Sequence, residues 1–187
     1  SYYSAEYSLD RMNTEAYVRD PRFEPIMVGI KDGDVARPYW ILPERFKWFV
    51  KEEVDWVNTG VIMHHAHFDG LILSHHYGVK PAFFIDTLSM ARVLDGPKAG
   101  NRLDQLAQRH LPGRKGDYVK FAKGKHLADF TRDELYAYGE YCCNDVELTH
   151  QLARLFMRQL PVDELRLIDL DIRMFTEPVF EGDVPKL

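Results

Sequence analysis

A short run from Val57 to Met63, interrupted at Asn58-Thr59-Gly60, stops abruptly at His64-His65-Ala66-His67-Phe68-Asp69. It is far shorter than the roughly 20 apolar residues needed to span a membrane. Phe68, Leu71, Ile72 and His75 then recur at helical spacing, and Gly78 closes the pattern. The reading is a buried strand of parallel type, a polar loop, and a helix with Asp69 near its N-terminus. A strand of that kind needs helices packed over it, so this one unit points the chain towards an α/β fold. Ligands of such sheets collect beyond the carboxyl ends of the strands, where the histidine loop and Asp69 lie.

The flanking segments repeat the alternation. Phe23–Ile30 reads as a strand entering after Pro25, Lys31-Asp32-Gly33-Asp34 as a hairpin-like turn, and Val35–Trp40 as the return strand. Pro43 opens a short amphipathic helix. Phe83-Phe84-Ile85 is a further strand, and Asp86-Thr87 can cap a helix over Leu88–Leu94. Leu103, Leu106, Ala107 and His110 mark the next helix, which Pro112-Gly113 ends. Thr131-Arg132-Asp133-Glu134 is a capping box ahead of a long helical pattern. Pro161 sets a boundary, after which Leu165, Ile168, Leu170, Ile172 and Phe175 form one more helix without an evident core of its own. The expected fold is therefore α/β, a mixed sheet flanked by helices.

Charge narrows the function. With 24 Lys and Arg against 29 Asp and Glu, the net charge is -5. That disfavours a protein gripping duplex DNA through a broad basic face, because such affinity comes from neutralised phosphates. It leaves open a cleft that receives a few nucleotides, since carboxylates awaiting metal ions are themselves acidic. Residues 113–126 are locally basic (Arg114, Lys115, Lys120, Lys123, Lys125) and read either as a solvated loop or as an electropositive rim. The only two cysteines, Cys142 and Cys143, are adjacent, which favours core packing and a reducing, intracellular setting.

Two acidic residues carry the candidate chemistry. Asp69 follows the strand, and Asp145 shares a helix face with Tyr141 four residues earlier. Each also has a plain structural reading: Asp69 bonded to helix amides, Asp145 on a wet helix face, Tyr141 with its hydroxyl in water. If the carboxylates converge, oxygen ligands favour Mg²⁺ or Mn²⁺, the ions suited to phosphodiester hydrolysis. Tyr141 would then orient a water without ionising, its ordinary pKa being about 10. His65, His67 and Asp69 would share a face if the strand continued, but no HExxH run supports a histidine metal site.

In this order the segments resemble a known family. His64–Asp69 resembles the second motif of DEDD-type 3′–5′ proofreading exonucleases, and Tyr141-Cys142-Cys143-Asn144-Asp145 resembles their third motif in its YxxxD form. Tyr17–Phe23 and Asp86–Arg92 resemble the stretches between motifs in bacteriophage family A DNA polymerases, and Leu165–Phe175 the passage leading out of the exonuclease domain. The resemblance implies a ribonuclease H-like (DnaQ-like) fold, with residues 1–160 as the exonuclease domain and 161–187 leading towards a polymerase domain in cis. It implies Asp69 and Asp145 as ligands of two Mg²⁺ or Mn²⁺ ions and Tyr141 as the residue that positions water. It further implies His65, Phe68, Leu103 and Gln105 beside the substrate, a single-stranded or frayed 3′ end of DNA. A monomer acting in the host cell cytoplasm during DNA replication, with no membrane association, completes the expectation.

One motif departs. The family supplies two more carboxylates from an Asp-x-Glu on its first strand, whereas Ser4-Ala5-Glu6 holds a single Glu. The better alignment sets Ser1-Tyr2-Tyr3 just after that motif, so Glu6 is ordinary surface. His65 also stands where the family commonly has Asn. Two other readings follow: a catalytically incomplete single-strand-binding module of the same fold, and a freestanding oligonucleotide exonuclease.

Overall fold

A computed structural model describes residues 1–34, 36–112 and 122–177. Helix α1 (Thr14–Arg19) precedes strands β1 (Val28–Ile30) and β2 (Tyr39–Ile41), then α2 (Pro43–Glu52). The central unit is β3 (Gly60–Met63), α3 (Ala66–Tyr77), β4 (Phe83–Asp86) and α4 (Thr87–Leu94). Helix α5 (Leu103–His110), a 3-10 turn at Leu127–Asp129, α6 (Arg132–Met157) and α7 (Val162–Thr176) follow. None of the described helices is long and apolar enough to cross a membrane.

The α/β alternation is present, but the sheet differs from expectation. In place of one mixed sheet, the described residues carry two small ones: β1 pairs antiparallel with β2, and β3 pairs parallel with β4. Strand β3 also begins later than the apolar run suggests. Asn58 donates to Asp55 from both its backbone and its side chain, making a turn, and Val57 is 82% exposed. Hydrophobicity alone could not separate this turn from the strand. The return strand likewise starts at Tyr39, and Val35 lies outside the described residues.

Helix α3 is central, and three apolar clusters meet on it. Ala66 faces the main core of Phe84, Met90, Leu106, Leu148, Leu152, Phe156 and Ile172. Leu71 joins Tyr7, Tyr17 and Val18, and Leu73 joins Phe46, Val50 and Val79. Being apolar on several sides is what a helix buried at the centre of a domain requires. It ends at Gly78, whose φ of 66° is the left-handed cap a glycine takes without steric cost.

Helix α6 is one continuous element, opened by the expected capping box: Thr131 Oγ1 accepts from the Glu134 amide, and Glu134 Oε2 accepts from the Thr131 amide. Gly139 brings this helix against β2. A Cβ there would meet Trp40 Nε1 at 2.2 Å, so the indole lies directly on the helix backbone. Helix α7 packs on α3 and β4 and buries Ile168, Ile172 and Thr176. Its Asp169 accepts from the Phe84 amide, and its Arg173 donates to the Pro81 and Ala82 carbonyls. The last helix thus shares the core of the β3–β4 unit.

Candidate active site

The loop between β3 and α3 is built around a buried acid. Asp86, with no exposed surface, caps α4 by accepting from the Leu88 and Ser89 amides and the Ser89 hydroxyl. Its Oδ1 also accepts from the amides of His65 (2.7 Å) and Ala66 (3.1 Å). One carboxylate therefore serves two helix N-termini, where negative charge is favoured. His65 sits in the left-handed region with φ 69°, the only non-glycine residue to do so among those described. That conformation is unfavourable for a side chain bearing a Cβ, and the Asp86 bonds hold it in place. Beside it, Thr87 Oγ1 donates to the Met63 carbonyl and lies 2.9 Å from His64 Nδ1. With the hydroxyl proton so committed, His64 is the donor and carries its hydrogen on Nδ1.

Asp69 lies one turn into α3 and is exposed as a residue, while the protein atoms packed around its carboxyl desolvate that group. Burial among those atoms pushes its carboxyl up to about 6, the Ser1 amino group opposes the shift, and Asp86 adds to it. Burial also lowers His65, with Asp86 opposing and His67 and Arg92 contributing, which favours a neutral imidazole. Tyr141 and Asp145 are half-buried on α6, and Asp145 Oδ1 is fully buried. The Tyr141 ring lies parallel to Tyr138, with centroids 6.4 Å apart.

The Cys142 thiol on α6 feels the charge of both acidic segments. Burial pushes it up to about 11; the Ser1 amino group opposes, and Asp145, Cys143 and Asp69 add to the shift. Both aspartates therefore act on one atom of α6. A thiol held protonated is not a nucleophile, which agrees with a packing role for Cys142. The donor set remains short of a metal centre: among the described residues no three His, Cys, Asp or Glu side chains converge as a ligand group. Two carboxylates alone do not make a two-ion site.

The remaining expected site residues take these places in the fold. Phe68 is half-buried against the Tyr7–Tyr17 cluster, 5.8 Å from the Tyr17 ring, so it packs behind the loop. Leu103 is buried in the main core. Gln105 Oε1 accepts from the Arg102 amide and closes the N-terminus of α5. Lys125 is paired with Glu134, and residues 113–121 of the basic stretch lie outside the described residues. The histidines disperse: His67 pairs with Asp171 at 3.1 Å, and His76 Nε2 bonds the Val18 carbonyl. Sequence reading gave Asp86 a role in its own helix only; an acid directly between a strand and a helix was the available signal for the rest.

Neither the curated proteins nor the solved structures include a match to this chain. A family model described as 3′–5′ exonuclease, of the DNA polymerase A exonuclease type, matches residues 54–161. The match runs from the turn before β3 to Pro161, taking in the Asp86-anchored loop, Asp69, and the α6 face bearing Tyr141 and Asp145. It covers more than half of the chain, which therefore belongs to the 3′–5′ exonuclease family.

Proposed function

We propose that this domain removes deoxynucleoside monophosphates from a single-stranded or frayed 3′ end of DNA, as the proofreading part of a phage-type family A polymerase. The observation that carries the reading is the family match over the segment holding both candidate acids. Asp69 and Asp145 would provide two oxygen ligands for Mg²⁺ or Mn²⁺, ions that commonly take one or two carboxylates plus substrate phosphate. Tyr141, a neutral phenol near neutral pH, would orient the attacking water. A ribonuclease H-like framework with its remaining carboxylates on an Asp-x-Glu strand belongs to the same reading.

The test is hydrolysis of a 5′-labelled single strand in Mn²⁺ and in EDTA. Asp69→Asn and Asp145→Asn are each expected to reduce turnover about a hundredfold or more, and Tyr141→Phe about ten- to a hundredfold. Cleavage that persists in EDTA, or that neither Asn substitution slows, would sink the reading. A second reading has one observation in its favour, the lack of a three-ligand group among the described residues. It is a single-strand-binding module of the same fold, and binding of 3′-ended strands without Mn²⁺-stimulated cleavage would establish it. Comparison of DNA with RNA ends separates both from a freestanding RNA exonuclease.

A further inference from the structure

A recess of about 450 Å³ opens beside the strained His65, lined by Asn13, Thr14, Glu15, His65, His67 and Phe175. Its walls come from three places in the chain: the start of α1, the start of α3 and the end of α7. Asn13, Thr14, Glu15 and Phe175 all fall outside the family-matched residues 54–161.

The walls are fixed before any ligand arrives. Asn13 Oδ1 accepts from the Ala16 amide at 2.8 Å and caps α1. His67 is braced by Asp171 at 3.1 Å and meets the Phe175 ring edge-to-face, with centroids 5.3 Å apart. His65 is held at its left-handed φ by the Asp86 carboxylate. The recess therefore offers three aromatic rings, those of His65, His67 and Phe175, with a polar edge, and a volume within the ordinary range for small-molecule sites.

We propose that this recess is a nucleobase subsite, in which a base of the bound strand lies against Phe175 and His67 and donates an exocyclic amino group to Glu15. The proposal rests on the single-strand reading above and names where one nucleotide sits. Charge decides for the base over the phosphate. Glu15 lines the recess and Asp171 backs His67, so a phosphate entering there would face two carboxylates, whereas a base is neutral. Arg19 pairs with Glu15 at 3.1 Å and does not itself line the recess. A carboxylate accepts well from the amino group of cytosine, adenine or guanine, and thymine has none to give.

The experiment uses the full chain and short 5′-labelled oligo(dC) and oligo(dT), with binding read by fluorescence anisotropy in EDTA at one salt concentration. Oligo(dC) is expected to bind about fivefold tighter than oligo(dT). Glu15→Ala, at an exposed position, should remove that preference, bringing the ratio of the two affinities to about one. Phe175→Leu keeps an apolar side chain but loses the ring, and should weaken both strands about fivefold or more. Equal wild-type affinity for the two strands, together with no effect of Phe175→Leu, would overturn the subsite and leave the exonuclease reading standing. No binding of either strand by the wild type would overturn both.

Discussion

Asp86 shows how much of the loop between β3 and α3 depends on one buried carboxylate. Its two oxygens receive five hydrogen bonds, from the amides of His65, Ala66, Leu88 and Ser89 and from the Ser89 hydroxyl. Asp86→Ala leaves these donors without their acceptor in a buried position, at a cost of about 3 kcal/mol or more, since each unsatisfied buried group costs about 1–3. Asp86→Asn keeps one acceptor but turns an NH₂ towards the Ser89 donors, and should cost about 1–3 kcal/mol. Urea unfolding of the two variants beside Ser89→Ala measures this; equal midpoints for Asp86→Ala and wild type would show that the carboxylate does not hold the loop. The cap on α4 was legible in Asp86-Thr87, because a cap is local. Its bonds to His65 and Ala66 were not, because they join residues more than twenty positions apart. Gly139 was equally opaque. A glycine inside a helix usually costs about 1 kcal/mol against alanine, and only the packing of Trp40 on its backbone explains it.

Among the elements, those announced by local chemistry were the ones readable in advance. Pro43 at the start of α2, Gly78 after α3 and the capping box of α6 each act within one turn, so their sequence signals carry to the structure. Strand pairing offers no comparable signal. The chain shows where β1 and β3 lie, but not that they belong to separate sheets. The α6 cap also makes a pH prediction. The Lys125 ammonium, with the Thr131 amide and hydroxyl, holds the Glu134 carboxyl down at about 2, against an ordinary value of 4.5. A carboxyl depressed on folding adds stability that is fully present above 4.5 and is lost as pH falls through 2. Glu134→Gln should therefore lower the urea midpoint at pH 7, with the difference shrinking below pH 4.5 and vanishing near pH 2. A difference that stays constant over that range would mean the pair contributes through packing alone.

For the whole molecule, the question is where the cooperative unit stops. The family match ends at residue 161, and Pro161 reads in the sequence as a boundary before a helix leading elsewhere. Within its own stretch of sequence the helix's apolar residues have no core to join, because the surface they cover, on α3 and β4, lies far back in the chain. In the fold, Ile168 and Ile172 are buried in the main cluster with Phe84 and Leu106. Asp169 satisfies the Phe84 amide, and Arg173 joins α7 to the Pro81 and Ala82 carbonyls. Deleting one large buried side chain costs about 2–5 kcal/mol, and a domain of this kind holds only about 5–15 kcal/mol in total. Removing α7 withdraws two buried isoleucines, an amide acceptor and the contacts of Phe175 together, a loss of the same size as that margin. A chain ending after Pro161 is therefore expected to lose its cooperative urea transition and to expose apolar surface to a hydrophobic dye. A sharp transition near the wild-type midpoint would instead return α7 to the role of a connecting helix. Phe175 would then be free to move with whatever follows it, and the recess beside His65 would have to be completed by α1 and α3 alone.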